Sequence, residues 1–131
     1  MTRAPLPARD LLAVALGGAL GAVLRWTITE AAAGGSVPWA TLVINVVGCL
    51  VLGALPVLGV VRRSPTLARF LGPGVLGGFT TVSAMAVETV DLADTGEALV
   101  AFAYAAGTLL LCLAAAAAGR ALVHRRTEAA A

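Results

Sequence analysis

Lysine is absent from this 131-residue chain, and its nine basic residues are all arginine. Histidine and tyrosine occur once each, cysteine twice, and charged side chains make up only 12% of the sequence. These shortages exclude whole classes of chemistry. The one histidine, His124, lies in a basic tail, and no ordered segment carries a Ser/His/Asp, Cys/His or paired-carboxylate grouping, so the chain does not read as an enzyme. A net charge of +2 is too small and too scattered for a nucleic-acid-binding surface. Cys49 and Cys112 sit inside apolar runs with no ligand partner at metal spacing, the ordinary setting of small buried hydrophobes rather than of a disulfide or metal site.

What the chain does have is apolar length. Hydrophobic residues make up 60% and the mean hydropathy is +0.95, which points to an integral membrane protein; residues 1–131 read as one all-α membrane domain. Four transmembrane helices are expected at roughly 11–30, 38–61, 69–90 and 97–120. A secretory signal peptide competes for the first run, but Asp10 precedes its core and Arg25 falls inside it. Gly17, Gly18, Gly21 and Ala22 place small residues at one-turn spacing, suited to close helix contact in lipid. After a turn at 34–38, Trp39 takes an interfacial position, and Pro56 is placed to kink the second span near its end. Arg62, Arg63 and Arg69 mark a basic loop, while Asp91, Asp94 and Glu97 mark an acidic one. Arg120, His124, Arg125 and Arg126 form a basic tail, and disorder is expected over 127–131. Four spans put both termini on one side, and the basic residues of the lead, second loop and tail assign that side to the cytoplasm.

The third span is the unusual one. Within residues 74–88 (GVLGGFTTVSAMAVE), Gly77 and Gly78 have low helix propensity, and Thr80, Thr81 and Ser83 compete for backbone hydrogen bonds. A break is expected near residues 77–81, and at membrane depth a break is tolerated only where protein buries it or a polar cavity meets it. Carbonyls exposed there suit a hard cation, and two copies facing each other across a two-fold axis could complete its oxygen shell.

Uncharged polar side chains supply the remaining candidates: Thr41, Asn45, Thr80, Thr81, Ser83, Tyr104 and Thr108. Thr41, Asn45 and Gly48 share one face of the second span, and Tyr104, Thr108 and Cys112 recur at spacing four in the fourth. Asn45 stands out because a helix cannot by itself satisfy its amide. Arg25 has two readings, an interfacial side chain that snorkels or a fixed charge at a pore vestibule. Glu88 is either interfacial or part of that vestibule, and no acid is expected in the deep interior.

Residues 18–26 (GALGAVLRW), 41–48 (TLVINVVG) with Gly53, 77–83 (GGFTTVS) with Glu88, and Tyr104 with Gly107 and Thr108 together resemble the fluoride channel family called Fluc or CrcB. The matches fall in all four spans and in order. The resemblance implies a fluoride-specific channel giving passive efflux of cytoplasmic fluoride, sited in the cell inner membrane or plasma membrane as an antiparallel two-fold dimer. It further implies a structural sodium ion at the dimer centre, held by the backbone carbonyls of Gly77 and Thr80. The pore asparagine corresponds to Asn45 and the vestibule charge to Arg25, with Glu88 beside it. The fluoride pathway then takes in Thr41, Ser83, Tyr104 and Thr108, with the family's hydroxyl track continuing at Cys112. Two phenylalanines of the family pattern fall on Val82 and Met85, which offer no aromatic edge.

That departure and the one-sided arginines bear on the partner. An antiparallel homodimer needs one sequence to insert both ways, whereas eight of the arginines here fall on one side. A heterodimer with a homologous subunit of opposite bias satisfies both features, the partner supplying the aromatic edges; a homodimer is the alternative. Two other readings fit four short spans: a small proton-coupled multidrug exporter, which needs a membrane-embedded carboxylate, and a non-conducting partner subunit.

Overall fold

The computed structural model describes residues 6–32 and 37–129, and for residues 124 and 126–129 the backbone alone. Arg3, most of the turn at 34–38, the His124 and Arg126 side chains and residues 130–131 therefore lie outside the described structure. Every described element is helical, and four stretches are long and apolar enough to cross a membrane: Ala8–Ala31, Trp39–Val57, Pro65–Asp94 and Ala98–Val123.

The first span, α1 (Ala8–Ala31), begins three residues before the expected start and carries Asp10 in its first turn, where unpaired amides and the helix dipole favour a carboxylate. The second, α2 (Trp39–Ala54), passes into a 3-10 turn at Leu55–Val57. Pro56 has no N–H with which to extend the ladder, so the span expected to reach residue 61 stops at Val57. The basic segment is not a loop but two short helices, α3 (Gly59–Arg63) and α4 (Pro65–Arg69). Ser64 starts α4 by accepting from the Leu67 N–H at 3.3 Å, with Pro65 in the first helical position.

The third span has four parts: α4, a π-helical stretch at Phe70–Leu76, α5 (Gly77–Phe79) and α6 (Val82–Asp94). Pro73 lies inside the π stretch, where the missing amide and the ring clash with the preceding turn are accommodated by the wider helix. The chain leaves helical geometry at Thr80 (φ −78°, ψ 156°) and Thr81 (φ −151°, ψ 122°). Gly77 and Gly78 are helical. Asp91 and Asp94, expected in a loop, belong to α6, which ends in a Schellman turn: Glu97 N–H donates to Leu92 O, Gly96 N–H to Ala93 O, and Gly96 adopts φ +87°. The fourth span, α7 (Ala98–Ala129), continues through residues 127–129, where disorder was expected.

Span one packs chiefly on span three, and span two on span four. Both contacts use missing side chains. A Cβ on Gly21 would overlap the Val75 carbonyl and stand 2.8 Å from the Phe79 nitrogen; one on Gly119 would overlap the Leu50 carbonyl. In lipid, where burying a leucine against another helix gains little, such close backbone approach is the main source of cohesion. Large apolar side chains accordingly point outward: Leu16, Phe102 and Leu110 are each about two-thirds exposed.

An ion pair adds to the contact between spans one and three. Asp10 is 1% exposed and accepts from Thr66 Oγ1 at 2.6 Å and Arg69 Nη1 at 2.7 Å, joining the starts of spans one and three. Asp10, expected to precede the first span, is thus a buried part of it. The Arg69 side chain is 35% exposed and can rehydrate if its partner is lost. Asp10→Ala is therefore expected to destabilise by about 1–3 kcal/mol, below the cost of breaking a fully buried pair. Arg9→Ala, removing a largely exposed guanidinium 3.9 Å from the same carboxylate, is expected to change stability little. Reversible unfolding in mixed detergent micelles measures both; equal losses for the two variants would contradict the assignment.

Candidate functional site

The second and third spans meet at Asn45. Its side chain is 5% exposed and bonds twice to one residue: Nδ2 donates to the Thr81 carbonyl at 2.8 Å, and Oδ1 accepts from the Thr81 N–H at 2.7 Å. The amide thus takes the place of the helical neighbours that an extended residue at membrane depth has given up. One Nδ2 hydrogen is left over. Thr81 also caps α6, its hydroxyl accepting from the Ala84 N–H at 3.1 Å. Thr81, one of the polar candidates, has no place in the pathway or cation site that the resemblance implies; a threonine directly before an apolar helical run is the signal for its capping role.

These bonds redirect the donors of two carbonyls. In an unbroken helix the Gly77 carbonyl would accept from the Thr81 N–H, and the Thr80 carbonyl from the Ala84 N–H. Both amides instead serve side chains, Asn45 and Thr81. The Gly78 carbonyl, in the last turn before the break, accepts from Arg25 Nε at 3.2 Å. Arg25 is half-buried and reaches across to span three, so it does not simply snorkel away from the bundle. Thr80 directs its hydroxyl to the Leu76 carbonyl at 2.8 Å and its methyl onto Gly48, where a Cβ would overlap it.

A second cluster lies between α2, α6 and α7. Thr41 Oγ1 donates to Glu88 Oε1 at 2.6 Å, and the Tyr104 hydroxyl to Glu88 Oε2 at 2.6 Å. Thr41 is 1% and Tyr104 5% exposed. Glu88 is half-buried, and its carboxylate turns in to two hydroxyls between α2, α6 and α7. On the sequence Glu88 only closes a charge-free run, and which hydroxyls its long side chain meets depends on the neighbouring spans. Thr108, one turn from Tyr104, is 1% exposed, and its hydroxyl has no partner among the described residues.

The remaining candidates are dispersed. Ser83 is exposed, its hydroxyl 3.2 Å from that of Thr81. Val82 is 75% exposed, away from the Glu88 cluster, whereas Met85 packs against Leu92, Ala101 and Tyr104. Cys49 on α2 and Cys112 on α7 are free and half-buried.

The family described as "CrcB-like protein, Camphor Resistance (CrcB)" matches residues 12–120. The chain is similar to "Fluoride-specific ion channel FluC 2" of Nocardia farcinica, 47% identical over 116 residues, covering 84% of this chain and 81% of the relative. It is also similar to "Fluoride-specific ion channel FluC" of Paracoccus denitrificans, 44% identical over 110 residues and covering 82% and 89%, respectively. The protein of that name from Thermus thermophilus is 42% identical over 106 residues, covering 78% and 85%.

Asn45→Leu keeps the apolar character of the span but strands both main-chain groups of Thr81. Amide exchange at Thr81 is expected to speed up about tenfold or more, the effect of losing a hydrogen bond of about 1–1.5 kcal/mol, with Thr89 in mid-α6 unaffected. Hydrogen exchange in micelles reads this, and unchanged protection at Thr81 would contradict the role of Asn45.

Proposed function

The chain belongs to the CrcB-like family, and from that membership we propose that it is a fluoride-specific ion channel, giving cytoplasmic fluoride a passive way out and so lowering its toxicity. The observation that carries the reading is the pair of hydroxyls on Glu88. Fluoride is small and strongly hydrated, so a narrow membrane path must replace its water with donors. Thr41 and Tyr104 already direct two O–H groups at one anionic group inside the bundle, and Thr108 holds a third hydroxyl, without a described partner, one turn along α7. Fluoride then takes the place of the Glu88 carboxylate as it passes, and the carboxylate turns aside. Arg25 keeps N–H groups beyond the one bonded to Gly78 and draws anions to the mouth. Ser83 and the spare Asn45 N–H extend the donor path.

A structural sodium ion fits the break. The Gly77 and Thr80 carbonyls have lost their usual helical donors, and hard cations take oxygen ligands. When bound, the ion supplies positive charge that holds carbonyls of two subunits together in an antiparallel dimer. Gly77 is exposed and a Cβ there would stand 3.8 Å from the Gly72 carbonyl, so nothing within the monomer requires glycine. With both termini cytoplasmic, the arginine bias favours a heterodimer whose second, homologous subunit brings the aromatic edges that Val82 and Met85 lack.

Fluoride efflux from liposomes, followed with a fluoride electrode, tests the channel. Wild-type protein with its partner subunit is expected to release fluoride and not chloride, and Asn45→Leu to release neither while still inserting. Thr108→Val is expected to slow efflux about tenfold, the rate effect of roughly 1.4 kcal/mol at the barrier. Full efflux through Asn45→Leu would overturn the pathway. Cysteine labelling of the termini tests the partner: both orientations together with robust efflux from the lone chain means a homodimer, and one orientation with efflux only after adding a homologous chain means a heterodimer. Gly77→Leu is expected to leave the monomer folded but abolish sodium-dependent dimerisation on size exclusion; sodium-dependent dimers of that variant would count against the carbonyl site.

A further inference from the structure

The early end of the second span leaves a gap at the arginine-rich end of the bundle. Where Pro56 stops α2, the chain turns through α3 and begins span three as α4 and the widened π stretch. Between these elements lies an open cleft of about 310 Å³, lined by Leu52, Leu55, Pro56, Ala68, Gly72 and Arg62 among others. Its volume falls at the lower end of small-molecule clefts, about 300–1,000 Å³. A Cβ on Gly72 would meet nothing within 4 Å, so span three leaves this side clear.

The lining is chemically two-sided. Leucine, proline, alanine and glycine give a wall with no side-chain hydrogen-bonding group, which suits a hydrocarbon chain and not a free ion. Arg62 is exposed and makes no side-chain hydrogen bond or ion pair among the described residues, unlike Arg69, which is held by Asp10. A guanidinium beside an apolar cleft, at the end of membrane-spanning helices, matches a phosphate attached to an acyl chain.

We propose that this cleft binds one anionic glycerophospholipid per subunit, an acyl chain lying along Leu52, Leu55 and Gly72 and the headgroup phosphate meeting the Arg62 guanidinium. The lipid fills the gap left by the early stop at Pro56 and braces the start of span three, whose break carries the polar site. The complementarity is to a net negative headgroup joined to a tail: a zwitterionic lipid brings the phosphate together with a cation that offsets its charge and is repelled by Arg62, and inorganic phosphate brings no tail.

Native mass spectrometry of the full chain, released from micelles doped with dioleoylphosphatidylglycerol, dioleoylphosphatidylcholine or inorganic phosphate, tests this. Wild-type protein is expected to retain one phosphatidylglycerol per subunit at least tenfold more than phosphatidylcholine, and no phosphate. Arg62→Gln alters an exposed side chain and is expected to abolish that preference, whereas Arg125→Gln, in the basic helix after the fourth span, leaves it intact. Leu52→Trp, at another exposed position, fills the cleft and is expected to exclude the lipid with Arg62 still present. Equal retention of the two lipids, retained preference in Arg62→Gln, equal loss in Arg125→Gln, unaltered retention in Leu52→Trp, or binding of phosphate alone would each overturn the proposal.

Discussion

The two hydrogen bonds between the Asn45 amide and the Thr81 main chain are the constraint on which the rest depends. A peptide that leaves helical geometry inside a membrane exposes donors and acceptors that no water satisfies. One primary amide, presented from a neighbouring helix, answers both groups of the extended residue at once. With Thr81 held there, its hydroxyl is free to start α6, and α6 in turn sets the direction from which Glu88 meets Thr41 and Tyr104. The asparagine is thus structural before it is functional: it holds the break open, and the polar cluster follows from the break.

Three charges within the spans are held by specific bonds. Asp10 takes Arg69 and Thr66, Glu88 takes two hydroxyls, and Arg25 takes a carbonyl released near the break. Each arrangement offsets a desolvation cost of several kcal/mol per ion. Glu88 differs from Asp10 in having neutral partners only. An anion held by hydroxyls can be exchanged for another anion without leaving a cation unpaired.

Cohesion and function use the same backbone. Small residues bring span one against span three closely enough that side chains would collide with carbonyls, and this clamps the irregular span along the half that precedes its break. Pro56 and Pro73 act in opposite ways beside it. The first ends a helix early and opens the cleft at the arginine-rich end; the second is absorbed by a π stretch, so the third span crosses without stopping.

Much of this was legible in the residues themselves. Charge-free runs define four spans because hydrocarbon tolerates almost nothing else, and propensity marks the third as the weak one, since glycine and threonine disfavour a helix wherever they lie. Asn45 could be singled out because its valence cannot be met within its own helix. What local pattern could not decide is which partner answers each polar group. That Asn45 serves Thr81, that Glu88 turns inward, that Asp10 is buried and that Val82 faces outward all depend on how helices distant in the chain are rotated and spaced. Such rotations are set by backbone contact at glycines and by a break whose position differs from the glycines by a few residues, and a shift of one residue turns a helical side chain by about 100°. Composition and period therefore determined the solvent, the number of spans and the weak point, whereas the pairing of polar groups across spans was decided only by the packed tertiary structure.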